Sequence, residues 1–334
     1  MTTDPRADEL RAWLMRTCPD AAASLTPITG DASFRRYFRI ATDNGDRIVM
    51  DAPPEREATG PFVDIAGRLE AAGVTAPRVL ASDVERGFLL LSDLGDRLYL
   101  DELDERSADG LYDDALAALV RMQADIPTAD LPPYDAKRLD TEMDLFPVWF
   151  LGEHLGLDTE TIGDEPAASF AALTAAALEQ PRVFVHRDYH SRNLMVLAAD
   201  NPGVLDFQDA VAGPVTYDLV SLLRDCYISW PDDRISDWIE RYRQAALARG
   251  VELPDHGSLR RWFDLMGAQR HLKAIGIFAR LWHRDGKPRY LADIPRTWGY
   301  IEALFGRHSE LEPLARFAAR ADVTARLERA EARP

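Results

Sequence analysis

Cysteine is scarce: the 334 residues hold two, Cys18 and Cys226, far apart in the chain. So small a set excludes a disulfide framework and predicts free thiols in a reducing, cytoplasmic setting. Long apolar runs are lacking too. Those present are short, as in Phe88-Leu89-Leu90-Leu91, and far below the ~20 residues that cross a bilayer, so no membrane role is expected. Met1-Thr2-Thr3-Asp4-Pro5 lacks the basic and apolar regions of a signal peptide. Positive charge is in deficit, with a net charge of −17. A nucleic-acid partner, which needs a basic face, is therefore not expected. Acidity does not exclude a nucleotide, because a divalent cation and a few local basic groups neutralise phosphates. Internal repeats and low-complexity tracts are absent, and nothing in the pattern indicates an oligomer.

What is present suits a globular protein of two lobes: 46% hydrophobic and 28% charged residues over 334 positions. The chain is organised around Val185-His186-Arg187-Asp188-Tyr189-His190-Ser191-Arg192-Asn193 and the following Val204-Leu205-Asp206-Phe207-Gln208. Val183 to Val185 and Leu194 to Leu197 are short apolar runs, and Asn201-Pro202-Gly203 turns the chain between them and Val204. This pattern can bring Asp188, Asn193 and Asp206 to the ends of neighbouring strands. Two carboxylates and an amide oxygen are hard ligands, suited to Mg²⁺ shared with phosphate oxygens. H-x-D-x-x-x-x-N followed by a strand-terminal Asp-Phe is the catalytic-loop and metal-loop pattern of kinases. The competing reading is a β-hairpin with solvated polar turns, and Asp218 in the next segment weighs against it.

Upstream, Pro5 to Thr17 reads as a helix with Leu10, Trp13 and Leu14 on one face. Phe34, Phe38 and Ile40 read as one face of a strand, Asp43-Asn44-Gly45 as a hairpin turn, and Arg47 to Ala52 as the return strand. The small residues from Gly30 to Ser33 at the hairpin tip offer backbone N–H groups to phosphates, although an ordinary hairpin tip reads the same way. Pro61 to Ala72 is a helix stopped at Gly73, followed by strands over Arg78 to Ser82 and Gly87 to Ser92. From Ser107 the chain turns helical, and Phe146, Trp149 and Phe150 are expected in the core. Helices are predicted over Glu165 to Glu179, from near Val215, and over Asp232 to Arg249, Ser258 to Arg284 and Asp293 to Phe305.

The 186–206 motif resembles that of the aminoglycoside phosphotransferase superfamily, small-molecule kinases with a protein-kinase-like fold. Asp31 to Arg39, Val49-Met50-Asp51-Ala52-Pro53-Pro54-Glu55, Asp206 to Val211, Tyr217 to Tyr227 and Gln269 to Lys273 narrow the likeness to one branch. That branch is the bacterial N-acetylmuramate/N-acetylglucosamine anomeric kinases of cell-wall recycling. The resemblance implies an α+β, bilobal fold with a small N-terminal lobe built on an antiparallel sheet and a larger, mainly helical C-terminal lobe. It divides the chain into a nucleotide-binding lobe, residues 1–95, and a catalytic and substrate-binding lobe, residues 96–334.

By the same resemblance Asp188 takes the proton of the acceptor hydroxyl, and Asn193 and Asp206 hold Mg²⁺. His186 and Asp218 brace the loop, while Gly30, Ser33, Arg36, Ser92 and Leu94 meet ATP. Arg270, His271 and Lys273 are a basic cluster that either faces an amino sugar or is an ordinary helix face with ion pairs. The strand Ile48 to Ala52 has no lysine, although kinases usually place their phosphate-binding lysine there. Arg35, Arg36 and Arg47 remain candidates for that charge, and Glu57 and Glu70 read as solvated. The other readings are a kinase of the same fold acting on an aminoglycoside, a choline-like alcohol or another sugar, and a nucleotide-binding regulator without turnover.

Overall fold

The computed structural model describes residues 4–20, 25–28 and 34–331. The chain divides into two compact units, each discontinuous in sequence. The first is Met1–Glu102 with Asn193–Asp209, and the second is Leu103–Arg192 with Ala210–Pro334.

The first unit is built on an antiparallel sheet of β1 (Thr26–Ile28), β2 (Arg36–Ile40), β3 (Arg47–Asp51), β4 (Val79–Asp83) and β5 (Phe88–Ser92), in the order β1-β2-β3-β5-β4. The Asp43-Asn44-Gly45 turn joins β2 to β3 as expected, with Gly45 at φ 94°. Register then pairs Arg36 with Asp51 and Phe38 with Val49. At Gly87, with φ +74°, a Cβ would come within 1.8 Å of the Ala52 carbonyl oxygen, so only glycine lets β5 start there. Helix Pro5–Thr17 is capped by the Asp4 carboxylate, which accepts from the Arg6 and Ala7 N–H groups. It buries Leu10, Trp13 and Leu14 against Ile40, Val49, Phe88 and Leu90. Each such side chain contributes about 1.5–3 kcal/mol by leaving water. Helix Gly60–Ala71 buries Phe62, Ile65, Ala66 and Leu69. Phe34 departs from the sequence reading. It precedes β2 and is 58% exposed, because β2 starts only at Arg36.

The second unit is mainly helical. Its core gathers Phe146 and Phe150, both fully buried, with Leu265, Leu272, Ile275, Trp298 and Phe317. The aromatic segment is a π-helical stretch, Phe146–His154. The long helix His256–His283 buries residues around most of its circumference, as central helices do. A short antiparallel pair, β6 (Arg182–Val185) with a strand at Val211–Pro214, delivers the chain into the polar loop at His186. In the first unit β7 (Leu194–Met195) pairs with β8 (Gly203–Val204), and the Val211–Pro214 strand, in the second unit, is β9.

Candidate functional site

In the second unit β6 ends at Val185 and the next three residues are held by hydrogen bonds. The buried Asp218 carboxylate, in the first turn of helix Tyr217–Leu223, accepts the His186 N–H at 2.6 Å and the Arg187 N–H at 2.9 Å. These bonds stabilise Arg187 at φ 81°, a left-handed conformation that is strained for a non-glycine residue. The fully buried His186 accepts the Asp188 N–H on its Nδ1 at 3.2 Å. Downstream, Asp225 Oδ2 accepts both the N–H of Ser191 at 3.0 Å and its hydroxyl at 2.5 Å. The Tyr189 hydroxyl donates to the Ala115 carbonyl at 2.8 Å. His186, Asp218, Asp225 and Tyr189 thus all hydrogen-bond to the 186–191 segment or its neighbours.

Electrostatics sets the state of the loop carboxylates. Burial pushes Asp188 up, but Lys273, His190, Arg270 and Arg187 together overcome it and bring its pKa down to about 2. Asp188 is therefore an ionised carboxylate throughout the neutral range. Burial dominates at Asp218 and, against the opposing pull of His186 and its backbone donors, raises it to about 6.

A polar group around Glu142 supplies two of those cations. Glu142 lies at the end of helix Ala136–Met143, on the same face as Leu139 and Met143. It accepts Arg187 Nη2 at 2.5 Å, has Lys273 Nζ at 3.4 Å, and bonds the Tyr134 hydroxyl. Lys273 also donates to the Tyr217 hydroxyl at 2.8 Å. Burial opposes the charge on Lys273, yet Tyr217 and Glu142 keep its pKa above the ordinary lysine value. Sequence reasoning missed Glu142; the available signal was a carboxylate in the apolar stripe of an amphipathic helix.

The basic cluster on the long helix does not form one exposed patch. His271 is fully buried, bonds the Arg224 carbonyl through Nε2 at 2.9 Å and stacks on Tyr300 at 4.9 Å between ring centroids. Burial first, then Arg270 and Arg224, hold it down at about 3, so it is a neutral packing residue. Arg270 is 6% exposed and Lys273 7%.

In the first unit, Asn193 and Asp206 stand at the ends of the β7–β8 pair, and the Leu205 N–H donates to the Asn193 carbonyl at 2.9 Å. Asp206 has φ 59°, a left-handed conformation like that of Arg187. Its side chain is 51% exposed, its Oδ1 accepts the Gln208 amide at 2.9 Å, and Arg35 Nη1 lies at 3.9 Å. Phe207 turns the other way and packs on Phe62 at 4.7 Å. Among the described residues no three His, Cys, Asp or Glu side chains converge as a preformed metal cage. One carboxylate and an amide oxygen fit Mg²⁺, which takes few protein ligands and fills its shell with phosphate oxygens and water.

The remaining nucleotide candidates of this unit fall in different places. Gly30 and Ser33 lie outside the described residues. The Ser92 hydroxyl accepts the Arg78 N–H at 2.9 Å, and Leu94 packs beside Gly203. Arg36 is committed elsewhere, with its Nη2 on Asp51 at 2.5 Å and its Nη1 on Asp4 at 2.5 Å. Glu57, read as solvated, instead pairs with Arg35 Nη2 at 2.6 Å and accepts the Phe34 N–H at 3.2 Å.

Residues 24–263 match the phosphotransferase enzyme family. The chain belongs to that family. A relative named N-acetylmuramate/N-acetylglucosamine kinase, from Pseudomonas aeruginosa, is 48% identical over 334 residues, covering 96% of this chain and 98% of the relative. Among solved structures, choline kinase LicA from Streptococcus pneumoniae superposes with a TM-score of 0.66 at 11% identity, covering 90% of this chain and 100% of that one. The ADP-bound aminoglycoside phosphotransferase APH(2'')-Ib gives 0.60 at 14% identity, covering 87% of this chain and 97% of that one. These neighbours show the fold: α+β and kinase-like, with an antiparallel sheet followed by a mostly helical remainder. No helix among the described residues is long and apolar enough to cross a membrane.

Proposed function

We propose that this chain transfers the γ-phosphate of ATP to the anomeric C1 hydroxyl of N-acetylmuramic acid or N-acetylglucosamine, giving the sugar α-1-phosphate in the cytoplasm for cell-wall recycling. The observation that carries the substrate is the 48% identity to a kinase of that name, sustained over 96% of the chain. The division at residue 95 into a nucleotide-binding part and a catalytic part belongs to the same reading.

Phosphoryl transfer demands positioning and charge neutralisation more than covalent help. Asp188 orients the C1 hydroxyl and takes its proton on a carboxylate oxygen as the hydroxyl oxygen bonds the γ-phosphorus and the bond to the β–γ bridging oxygen breaks, releasing ADP. A carboxylate held at about 2 is a weak base. An anomeric hydroxyl is more acidic than an ordinary alcohol, and late proton transfer suits that pairing. Lys273 and Arg187, anchored by Glu142, keep the base ionised beside an anionic reactant. Asn193 and Asp206 hold Mg²⁺, which supplies charge neutralisation on the phosphates when bound. Backbone groups near Ser92 to Leu94 meet the adenine.

The test is ATP consumption with a panel of acceptors: the two amino sugars, their 1-deoxy analogues, choline and an aminoglycoside. Turnover is expected with the two sugars and lost with the 1-deoxy forms. Turnover on choline or the aminoglycoside alone contradicts the proposal.

A further inference from the structure

We propose that Arg35 is the phosphate-binding cation of this chain, presented by Glu57, in place of the lysine that β3 lacks. The inference rests on the nucleotide-dependent transfer proposed above and deepens its nucleotide half. Lysine occurs only at positions 137, 273 and 287, so the first unit contains none. A phosphate-binding cation from this unit must therefore be an arginine.

Geometry commits Arg6 and the arginines of β2 and β3 elsewhere. Arg36 and Arg6 both bond the fully buried Asp51, at 2.5 and 2.6 Å, and hold helix Pro5–Thr17 to the sheet. Arg39 clasps Asp93 at 2.5 Å. Arg47 closes the hairpin turn on the carbonyls of Asp46 and Asn44. Arg35 differs in where its charge lies. Its side chain is 9% exposed, with one guanidinium nitrogen on Glu57 at 2.6 Å and the other 3.9 Å from the half-exposed Asp206 carboxylate. That distance is ionic contact without the close approach of a settled hydrogen bond. Glu57 is itself fixed by the Phe34 N–H, so the fork is aimed rather than free. The Tyr37 hydroxyl lies in the same group, under the influence of Arg35, Asp206 and Glu57.

The charge count points the same way. Two carboxylates and one guanidinium leave a net negative charge, which a divalent cation on Asp206 reverses. The reversed site attracts phosphate, and a planar guanidinium grips two phosphate oxygens where an ammonium is a point charge. The Arg35–Glu57 pair thus takes the place of the lysine–glutamate pair of other kinases from a different strand position. It sits just before β2 and on the loop after β3.

Calorimetric titration of the full chain with MgATP and with adenosine tests this. In Arg35→Ala, MgATP affinity is expected to fall ~10–100-fold, the worth of a charged hydrogen-bond pair, while adenosine affinity stays within about twofold. Arg35→Lys, which keeps the charge but not the bidentate fork and guards against a misfolded alanine variant, is expected to recover part of the loss. Arg47→Ala leaves both affinities unchanged. Unaltered MgATP binding in Arg35→Ala, or equal loss of MgATP and adenosine in Arg35→Lys, overturns the assignment. A wild-type protein that binds MgATP through Arg35 but phosphorylates neither sugar overturns the substrate reading and leaves this inference standing.

Discussion

The base loop of the second unit and the cation group of the first solve opposite problems. The 186–191 loop is over-determined: Asp218, Asp225 and the Ala115 carbonyl all hold it, and its braces are buried. Around Asp206 the setting is more open: its side chain is half exposed, with Arg35 at 3.9 Å. A base must keep one geometry and one charge through the reaction. A phosphate and metal site must stay open to ligands that bring most of the charge themselves. In the proposed mechanism, rigidity is concentrated where the proton is taken, and exposure where the nucleotide binds.

Breaking the rigid region has the largest consequence. Asp188→Asn removes the proton acceptor and is expected to lower kcat by ~10²–10⁴ while calorimetry shows MgATP affinity unchanged, since the nucleotide groups lie in the other unit. Wild-type turnover in that variant contradicts the role of Asp188. Glu142→Gln comes next. It leaves Arg187 and Lys273 without their shared anion and is expected to destabilise the fold by on the order of 3 kcal/mol. Thermal unfolding reads this as a lowered Tm, and an unchanged Tm means that the two cations find other partners.

Titration sharpens the comparison further. Asp188 is depressed to about 2, so its contribution to stability is present above its unfolded value of 3.8 and lost as pH falls through about 2. Asp218 is raised to about 6, so burial favours its protonated form; that contribution is present below 3.8 and lost as pH rises through about 6. Its carboxylate is the form that accepts two N–H groups. The acid limb of kcat is therefore expected near pH 6, from Asp218 rather than from the base. A limb below pH 4 would place the titration on Asp188 instead. The smallest expected effect is Glu70→Gln, at an exposed position, which changes stability by less than about 0.5 kcal/mol in chemical denaturation. A larger loss means that Glu70 has a partner, as Glu57 does.

The two regions also differ in how far the sequence revealed them. The loop was legible because Asp188 and Asn193 stand at a fixed spacing in H-x-D-x-x-x-x-N, Asp206 ends the next strand, and Asp218 falls at a helix start. The hairpin at Asp43-Asn44-Gly45 was legible because a positive φ at Gly45 demands that composition. The cation was not. Arg35 and Arg36 are adjacent, and only the pairing of Arg36 with Asp51 across β2 and β3 separates their fates. Glu57 read as solvated because its partner was sought on β3 and comes from the residue before β2. In the basic cluster His271 was hidden for another reason. A helix buried on most sides hides polar residues that a periodicity argument assigns to solvent, and His271 is such a residue. Glu142 carried no motif, and its helix face alone marked it.

Proton-coupled phosphorus NMR of the product formed from N-acetylmuramic acid, ATP and Mg²⁺ reads the site of phosphorylation directly. The account predicts a single phosphate on C1, coupled to the anomeric proton in the α configuration. Phosphate on another hydroxyl, or only inorganic phosphate released from ATP, would contradict it.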